Sequence, residues 1–147
     1  MLYTKIILAM AKIFGVPGVL LLAICTNESN LKNVTTPNDH GSPTYGICQI
    51  KSDTAKSLGY KGGTEGLMSP TVNARYAALY LKKQLGRYDG DWCMSVAAYN
   101  AGSFYESVKF PGKPRNFVYV KKVTLLLDEK YRDYLTCGPR KVEIGIE

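Results

Sequence analysis

Val19 to Thr26 is the stretch that most restricts how this chain can fold. It reads Val-Leu-Leu-Leu-Ala-Ile-Cys-Thr. A helix apolar almost all round must be buried on most of its sides. The run leads directly into Asn27-Glu28-Ser29, so a carboxylic acid is delivered at the edge of whatever core the chain builds. At 147 residues there is enough chain for one domain that buries most of the surface exposed when unfolded.

Helical spacing recurs on both sides of that run. Leu2, Ile6, Ile7, Met10, Ile13 and Phe14 form one stripe. Gly15-Val16-Pro17 ends it, and Pro17 suits the first turn of the next helix. Ser52-Asp53 resembles a cap for a short helix that Gly59 stops. Lys61 to Gly66 is a Gly-rich loop. Ser69-Pro70 gives an N-cap followed by Pro at the first helical position. Behind it Ala74, Ala77, Ala78, Leu81 and Leu85 share a face, with Gly86 expected to end the helix. Asp91 caps a helix carrying Trp92, Val96 and Tyr99, and Gly102 stops it. From Asn116 to Tyr134 helical spacing returns through Val120, Val123, Leu127, Tyr131 and Tyr134. Between these lie two loops, 30–44 and 103–115, and no strand pair is expected. The fold class is therefore all-α or α-dominated α+β, a compact helical domain over 1–136 with a C-terminal tail at 137–147.

The N-terminus superficially resembles a secretory signal. Lys12 and Pro17 interrupt the run, no small-x-small cleavage site follows, and the stretch is shorter than the roughly 20 apolar residues a membrane span needs. It reads as folded core, with no stable membrane insertion and no export address in the chain. Cys25, Cys48, Cys93 and Cys137 show no C-x-x-C, so no metal site is expected. Their even number would allow two disulfides, whose pairing sequence does not disclose. Cys25 and Cys93 sit among apolar neighbours in helical segments, where small buried thiols are common, so mostly reduced cysteines are expected. The formal charge of +7 fits either a solubilising surface or attraction to a polyanion. The basic residues are scattered and no nucleic-acid-binding signature appears, which sets nucleic acid aside.

Three short segments carry the chemistry: Glu28-Ser29, Tyr45-Gly46-Ile47-Cys48-Gln49-Ile50 and Ala98-Tyr99-Asn100-Ala101-Gly102. A Glu after a helix is usually solvated. Here the apolar residues before it anchor its backbone in the core, and an apolar wall keeps a carboxyl protonated near neutrality, ready to donate. Ser29 reads equally as a cap or as a group orienting Glu28. Gly46 allows close backbone approach, and Gln49 offers a donor and an acceptor to an N-acetyl or hydroxyl group. Tyr99-Asn100 alone would pass for a core Tyr and a helix C-cap. No second acid sits in any of the three segments, although most glycoside-cleaving sites need two carboxylates.

With those segments in that order, the chain from about Ala11 to Val123 resembles the transglycosylase domain of the lytic transglycosylases and, more distantly, goose-type lysozyme. The family's Glu-Ser, Gly-Leu-Met-Gln and Ala-Tyr-Asn-Ala-Gly match Glu28-Ser29, Gly46-Ile47-Cys48-Gln49 and Ala98-Tyr99-Asn100-Ala101-Gly102. Its Thr-Ala-x-x-Leu-Gly matches Thr54-Ala55-Lys56-Ser57-Leu58-Gly59, and its late cleft-bordering Tyr matches Tyr119. Two departures stand out. Cys48 replaces the usual Met and is expected to leave a smaller, still apolar wall at a sugar subsite, and Asp39-His40 lie in a variable loop.

The resemblance implies a lysozyme-like domain with a substrate cleft that cuts a peptidoglycan glycan strand between N-acetylmuramic acid and N-acetylglucosamine without water and without a cofactor. Glu28 would be the catalytic acid. Ser29, Tyr45, Gly46, Cys48, Gln49, Tyr99, Asn100 and Tyr119 would border or bind the sugar, with Tyr99 or Asn100 holding the N-acetyl group. A hydrolytic muramidase is the nearest alternative and needs a second carboxylate, for which Asp39 and Asp53 are the nearby candidates. A catalytically silent wall-binding module is the other. A wall enzyme without an export address needs a carrier, so a phage virion or phage lysis is expected to bring it to the periplasm, possible virion proteins being its partners; a bacterial periplasmic enzyme is the alternative.

Overall fold

The computed structural model describes residues 1–37 and 41–138. Helix α1 (Leu2–Phe14) ends where Gly15 takes a left-handed conformation, φ 72°, that a side chain would resist. Its N–H bonds back to Lys12 O, and that of Val16 to Ala11 O, so the last carbonyls of the helix stay satisfied. Helix α2 (Gly18–Ser29) follows at once with Pro17 as its N-cap residue. Leu20, Leu21, Ile24 and Cys25 are fully buried, each large side chain contributing about 1.5–3 kcal/mol relative to exposure. The first helix contributes Ile7 and Ala11 to the core and packs on both α2 and α4, while Leu2 and Ile13 of the expected stripe are exposed. Asn30 closes α2 with φ 54°, a conformation Asn tolerates better than most residues. The chain therefore turns away immediately after presenting Glu28.

A small antiparallel sheet follows, in the order β1 (Thr35–Thr36), β2 (Thr44–Tyr45), β3 (Ile50–Lys51). Thr35 pairs with Tyr45 and Thr36 with Thr44; Thr44 pairs with Lys51 and Tyr45 with Ile50. This corrects the expectation of no strand pair. Strands of two residues are too short to show alternation, so periodicity cannot reveal them. The β2–β3 connection, Gly46 to Gln49, is buried throughout.

Helix α3 (Ser52–Ser57) takes Lys51, not Ser52, as its N-cap residue. After a 3-10 segment at Thr64–Met68 comes α4 (Pro70–Arg87), where Ser69 accepts a hydrogen bond from Val72 N and Pro70 opens the helix. Ala74, Ala77, Ala78 and Leu81 bury the expected face. Gly86 does not end it; the helix runs on to Arg87. In α5 (Trp92–Ala101) Asp91 accepts from Met94 N, and Gly102 ends the helix at φ 89°. The region 116–134 does not form one helix. It divides into α6 (Phe117–Leu125) and a 3-10 segment at Glu129–Leu135, and Arg132 Nε donates to Leu127 O between them. Helix α4 packs against α1 and α5, and α6 against α5 and α2.

The cysteines are not reduced, a second correction. Cys25 pairs with Cys48 and Cys93 with Cys137. An apolar neighbourhood reports burial of a cysteine and says nothing about a partner brought up from elsewhere in the chain. Cys137, placed at the start of the tail, is thereby tied to α5; residues 139–147 lie outside the described ones. Loops closed over separations of 23 and 44 residues stabilise the fold by about 3–4 kcal/mol each through the unfolded chain's lost entropy. Among the described residues no helix is long and apolar enough to cross a membrane.

Candidate active site

The last turn of helix α2 borders a surface depression of about 410 Å³. Glu28 lines it with Thr36, Thr44, Gln49 and Ile50 on the sheet side and Tyr80, Tyr99, Asn100 and Gly102 on the side of α4 and α5. Among the described lining residues Glu28 is the only carboxylate. Tyr119, from α6, donates its hydroxyl proton to Glu28 Oε2 at 2.5 Å. That contact joins residues 91 positions apart in sequence.

Burial raises the pKa of the Glu28 carboxyl above its ordinary value, and the Tyr119 hydrogen bond opposes the rise only in part. Desolvation disfavours a carboxylate, whereas a donor on the charged form favours it. The Tyr119 and Tyr99 phenols are pushed well above the usual tyrosine range, first by burial and then by the nearby Glu28 charge. Tyr119 is thus a permanent donor near neutrality. Tyr119 engages Oε2 and not Oε1.

Tyr99 is buried, its hydroxyl donates to Cys48 O at 3.4 Å, and its ring lies 5.0 Å from that of Tyr80. Asn100 is exposed on the rim. Its Oδ1 accepts from Asn116 Nδ2 at 2.9 Å, and the same amide donates to Ala97 O at 3.0 Å. These bonds leave the donor end of Asn100 turned away from Asn116.

The Gly46–Gln49 turn is held from several directions. Ser29 Oγ donates to Ile47 O at 2.6 Å, so Ser29 fastens this turn to the end of α2. Gly46 has φ 81°, and a Cβ there would lie 2.3 Å from Asn73 Nδ2 and 2.9 Å from Leu67 O. The close approach read from its sequence context is an approach to protein. Gln49 lines the depression, yet its Nε2 already donates to Val34 O and Gly46 O, and its Oε1 accepts from Thr44 Oγ1. Both donor positions of the amide are spent within the fold. The side chain of Tyr45 is half-buried against the core, and Tyr45 is not among the residues lining the depression.

Cys48 is fully buried and bonded to Cys25. It forms no smaller apolar wall of a subsite, because its side chain points into the core. Asp53 does not line the depression, and Asp39 lies outside the described residues. Sequence reasoning missed Thr36, Thr44 and Tyr80 in the lining, and Asn73 and Asn116 behind it. Asn73, fully buried, donates to Tyr45 O and Leu67 O and accepts from Cys48 N. An amide beside the apolar face of α4, between Val72 and Ala74, was the available signal.

The model of the transglycosylase SLT domain matches residues 5–110. Protein IpgF of Shigella flexneri is 31% identical over 120 residues, 80% of this chain and 78% of that protein. Protein IpgF of Shigella sonnei matches to the same extent. Among solved structures, an inactive mutant of the lytic transglycosylase Slt from Pseudomonas aeruginosa superposes with a TM-score of 0.62 at 22% identity, over 89% of this chain and 22% of that one. The 70-kDa soluble lytic transglycosylase of Escherichia coli superposes with a TM-score of 0.54 at 20% identity, over 82% and 20%. This chain spans about a fifth of those two structures, and the likeness establishes the shared fold. By the family model over most of its length and the IpgF likeness, this chain belongs to the transglycosylase SLT domain family and is a lytic transglycosylase domain of lysozyme-like fold.

Proposed function

We propose that this domain cleaves the bond between N-acetylmuramic acid and N-acetylglucosamine in peptidoglycan without water, leaving 1,6-anhydro ends. The observation that carries the reading is Glu28 as the only carboxylate among the described residues lining the depression. Hydrolytic sites place a second carboxylate opposite the acid to attack or to activate water, and substrate-assisted enzymes are the exception. Family membership supports the enzyme class, and the single acid supports the route.

In this reading Glu28 Oε1 donates its proton to the glycosidic oxygen as the bond to C1 breaks. The neighbouring N-acetyl group stabilises the positive C1, with the donor end of Asn100 placed at the rim to hold its carbonyl. Glu28 is now a carboxylate, stabilised by the Tyr119 hydroxyl. It takes the proton of the same sugar's C6 hydroxyl as that oxygen closes on C1. One bond forms, one breaks, and the proton count on Glu28 is restored. Attack by a tethered hydroxyl avoids the entropic cost of capturing a free nucleophile.

Two disulfides support a working compartment outside the reducing cytosol, which fits the periplasmic wall. Delivery with a phage particle, or release at phage lysis, is the proposed route. Detection of the chain in purified particles, and not only in lysates, tests it.

Mass spectrometry of peptidoglycan digested by the wild type and by Glu28→Gln tests the chemistry. Muropeptides lacking one water and a reducing end, absent from the variant digest, are expected. Reducing muramic acid ends from the wild type would establish the hydrolytic alternative instead. Clearing by Glu28→Gln equal to that of the wild type would remove Glu28 from the chemistry.

A further inference from the structure

The two disulfides differ in what they join. Cys93–Cys137 connects the first turn of α5 to the segment after the last 3-10 turn. Cys25–Cys48 connects the helix that carries Glu28 to the turn that carries Gln49. Cys25 lies three residues before Glu28, less than one helical turn and about 4.5 Å along the axis. Cys48 immediately precedes Gln49, which lines the same depression as Glu28. The two Cα atoms are 4.3 Å apart, and neither residue is exposed.

Hydrogen bonds cluster around this cross-link. The Cys48 carbonyl accepts from the Tyr99 hydroxyl at 3.4 Å, and the Cys48 N–H donates to Asn73 Oδ1 at 2.8 Å. The hydroxyl of Ser29, next to Glu28, reaches Ile47 O at 2.6 Å and lies 3.4 Å from Cys25 O. The turn of α2 that carries the acid, the Gly46–Gln49 turn and the Tyr99 hydroxyl are thus fastened around one pair of sulfur atoms. Only the sulfur–sulfur link among these ties is covalent.

We propose that the Cys25–Cys48 disulfide is a positioning cross-link for the reaction, holding Glu28 against the Gly46–Gln49 turn so that full turnover requires the bonded pair. The proposal rests on the reading of Glu28 as the acid. It assigns a catalytic consequence to the cysteine that stands where the family pattern has Met. It also makes the domain fully competent only where disulfides persist.

The test compares Cys25→Ala/Cys48→Ala, Cys25→Ala/Cys48→Val and Cys93→Ala/Cys137→Ala on purified peptidoglycan, at temperatures where circular dichroism shows each folded. Removing the Cys25–Cys48 bond is expected to lower kcat about tenfold or more, since small misplacements of an acid are costly, with KM changed by less than about twofold. The alkaline limb of kcat should move to lower pH, because a looser site admits water to Glu28. The Val variant refills the vacated volume, so it should recover Tm without recovering kcat or the pH limb. Removal of Cys93–Cys137 should lower Tm and leave both unchanged. Wild-type kcat and pH limb in either Cys25/Cys48 variant would overturn the proposal, showing that packing suffices. Glu28→Gln, assayed alongside, separates the two failures. An active Glu28→Gln defeats the reading of the acid, whereas a silent one beside fully active cysteine variants defeats only the positioning role.

Discussion

The hydroxyl of Tyr119 rests 2.5 Å from Glu28 Oε2, across 91 positions of sequence. It is a donor that favours the charged form of the carboxyl, so in the proposed reaction it would steady the carboxylate between the two proton transfers. Tyr119→Phe removes that donor and leaves a buried oxygen without its partner. A hydrogen bond to a charged group contributes about 1.5–3 kcal/mol, so kcat should fall by about tenfold to a hundredfold. The alkaline limb of the pH–rate profile should move to higher pH, because burial then acts on Glu28 unopposed. A pH profile of purified Tyr119→Phe checks both, and an unmoved limb contradicts the assignment.

The raised pKa of Glu28 also has a consequence for stability. Above the ordinary carboxylate range the folded chain holds this proton more tightly than the unfolded chain does. Stability from this group is therefore present at low pH and is lost as pH rises through the folded-state value. Glu28→Gln should be more stable than the wild type at neutral pH, by an amount on the order of 1 kcal/mol for each unit of the shift. Near pH 3, where both states of the wild type are protonated, that advantage should vanish. Thermal melts of both proteins across this range decide it; an advantage independent of pH would point to packing.

Gly46 and Asn73 form one structural unit. A Cβ on Gly46 would collide with the Asn73 amide and crowd Leu67 O, while Asn73 closes three hydrogen bonds around the turn. Gly46→Ala and Asn73→Ala are each expected to cost about 2–4 kcal/mol. Because Asn73→Ala removes part of what the new Cβ would strike, the double variant should cost less than the sum of the two. Denaturant melts of the four proteins in the cycle measure the coupling, and additive costs would contradict it.

Asn116 holds Asn100 by its carbonyl oxygen. Asn116→Ala releases that amide, so KM should rise by about threefold to tenfold with kcat less affected, as for a lost binding contact. Steady-state kinetics on soluble muropeptide chains separate the two parameters. Unchanged kcat and KM in this variant would show that Asn116 does not position Asn100.

Local signals in the sequence led to much of this arrangement. Ser69-Pro70 and Asp91 mark helix starts, Gly102 marks a stop, and each acts within a turn of itself. The apolar run before Glu28 foretold its position at the edge of the core, and the structure brings Tyr99, Asn100 and Tyr119 to it. What escaped depends on distant partners. Cys25 and Cys48 each look like an ordinary buried thiol until the fold sets them 4.3 Å apart. The two donor positions of the Gln49 amide, chemically suited to a sugar, are engaged by Val34 O and Gly46 O. Asn73 sits beside an apolar face and shows its purpose only when Tyr45, Leu67 and Cys48 converge on it. The spacing from Asn116 to Tyr134 reads as one helix, but α6 ends at Leu125 and a 3-10 segment follows; periodicity does not register where a helix ends.

Digestion of peptidoglycan in heavy-oxygen-labelled water tests the central claim most directly. If the C6 hydroxyl of the substrate is the nucleophile, wild-type products carry no solvent oxygen at C1 and end in the anhydro ring. Solvent oxygen incorporated at C1 in the released muramic acid, in step with bond cleavage and lost in Glu28→Gln, would show that water is the nucleophile and contradict the account.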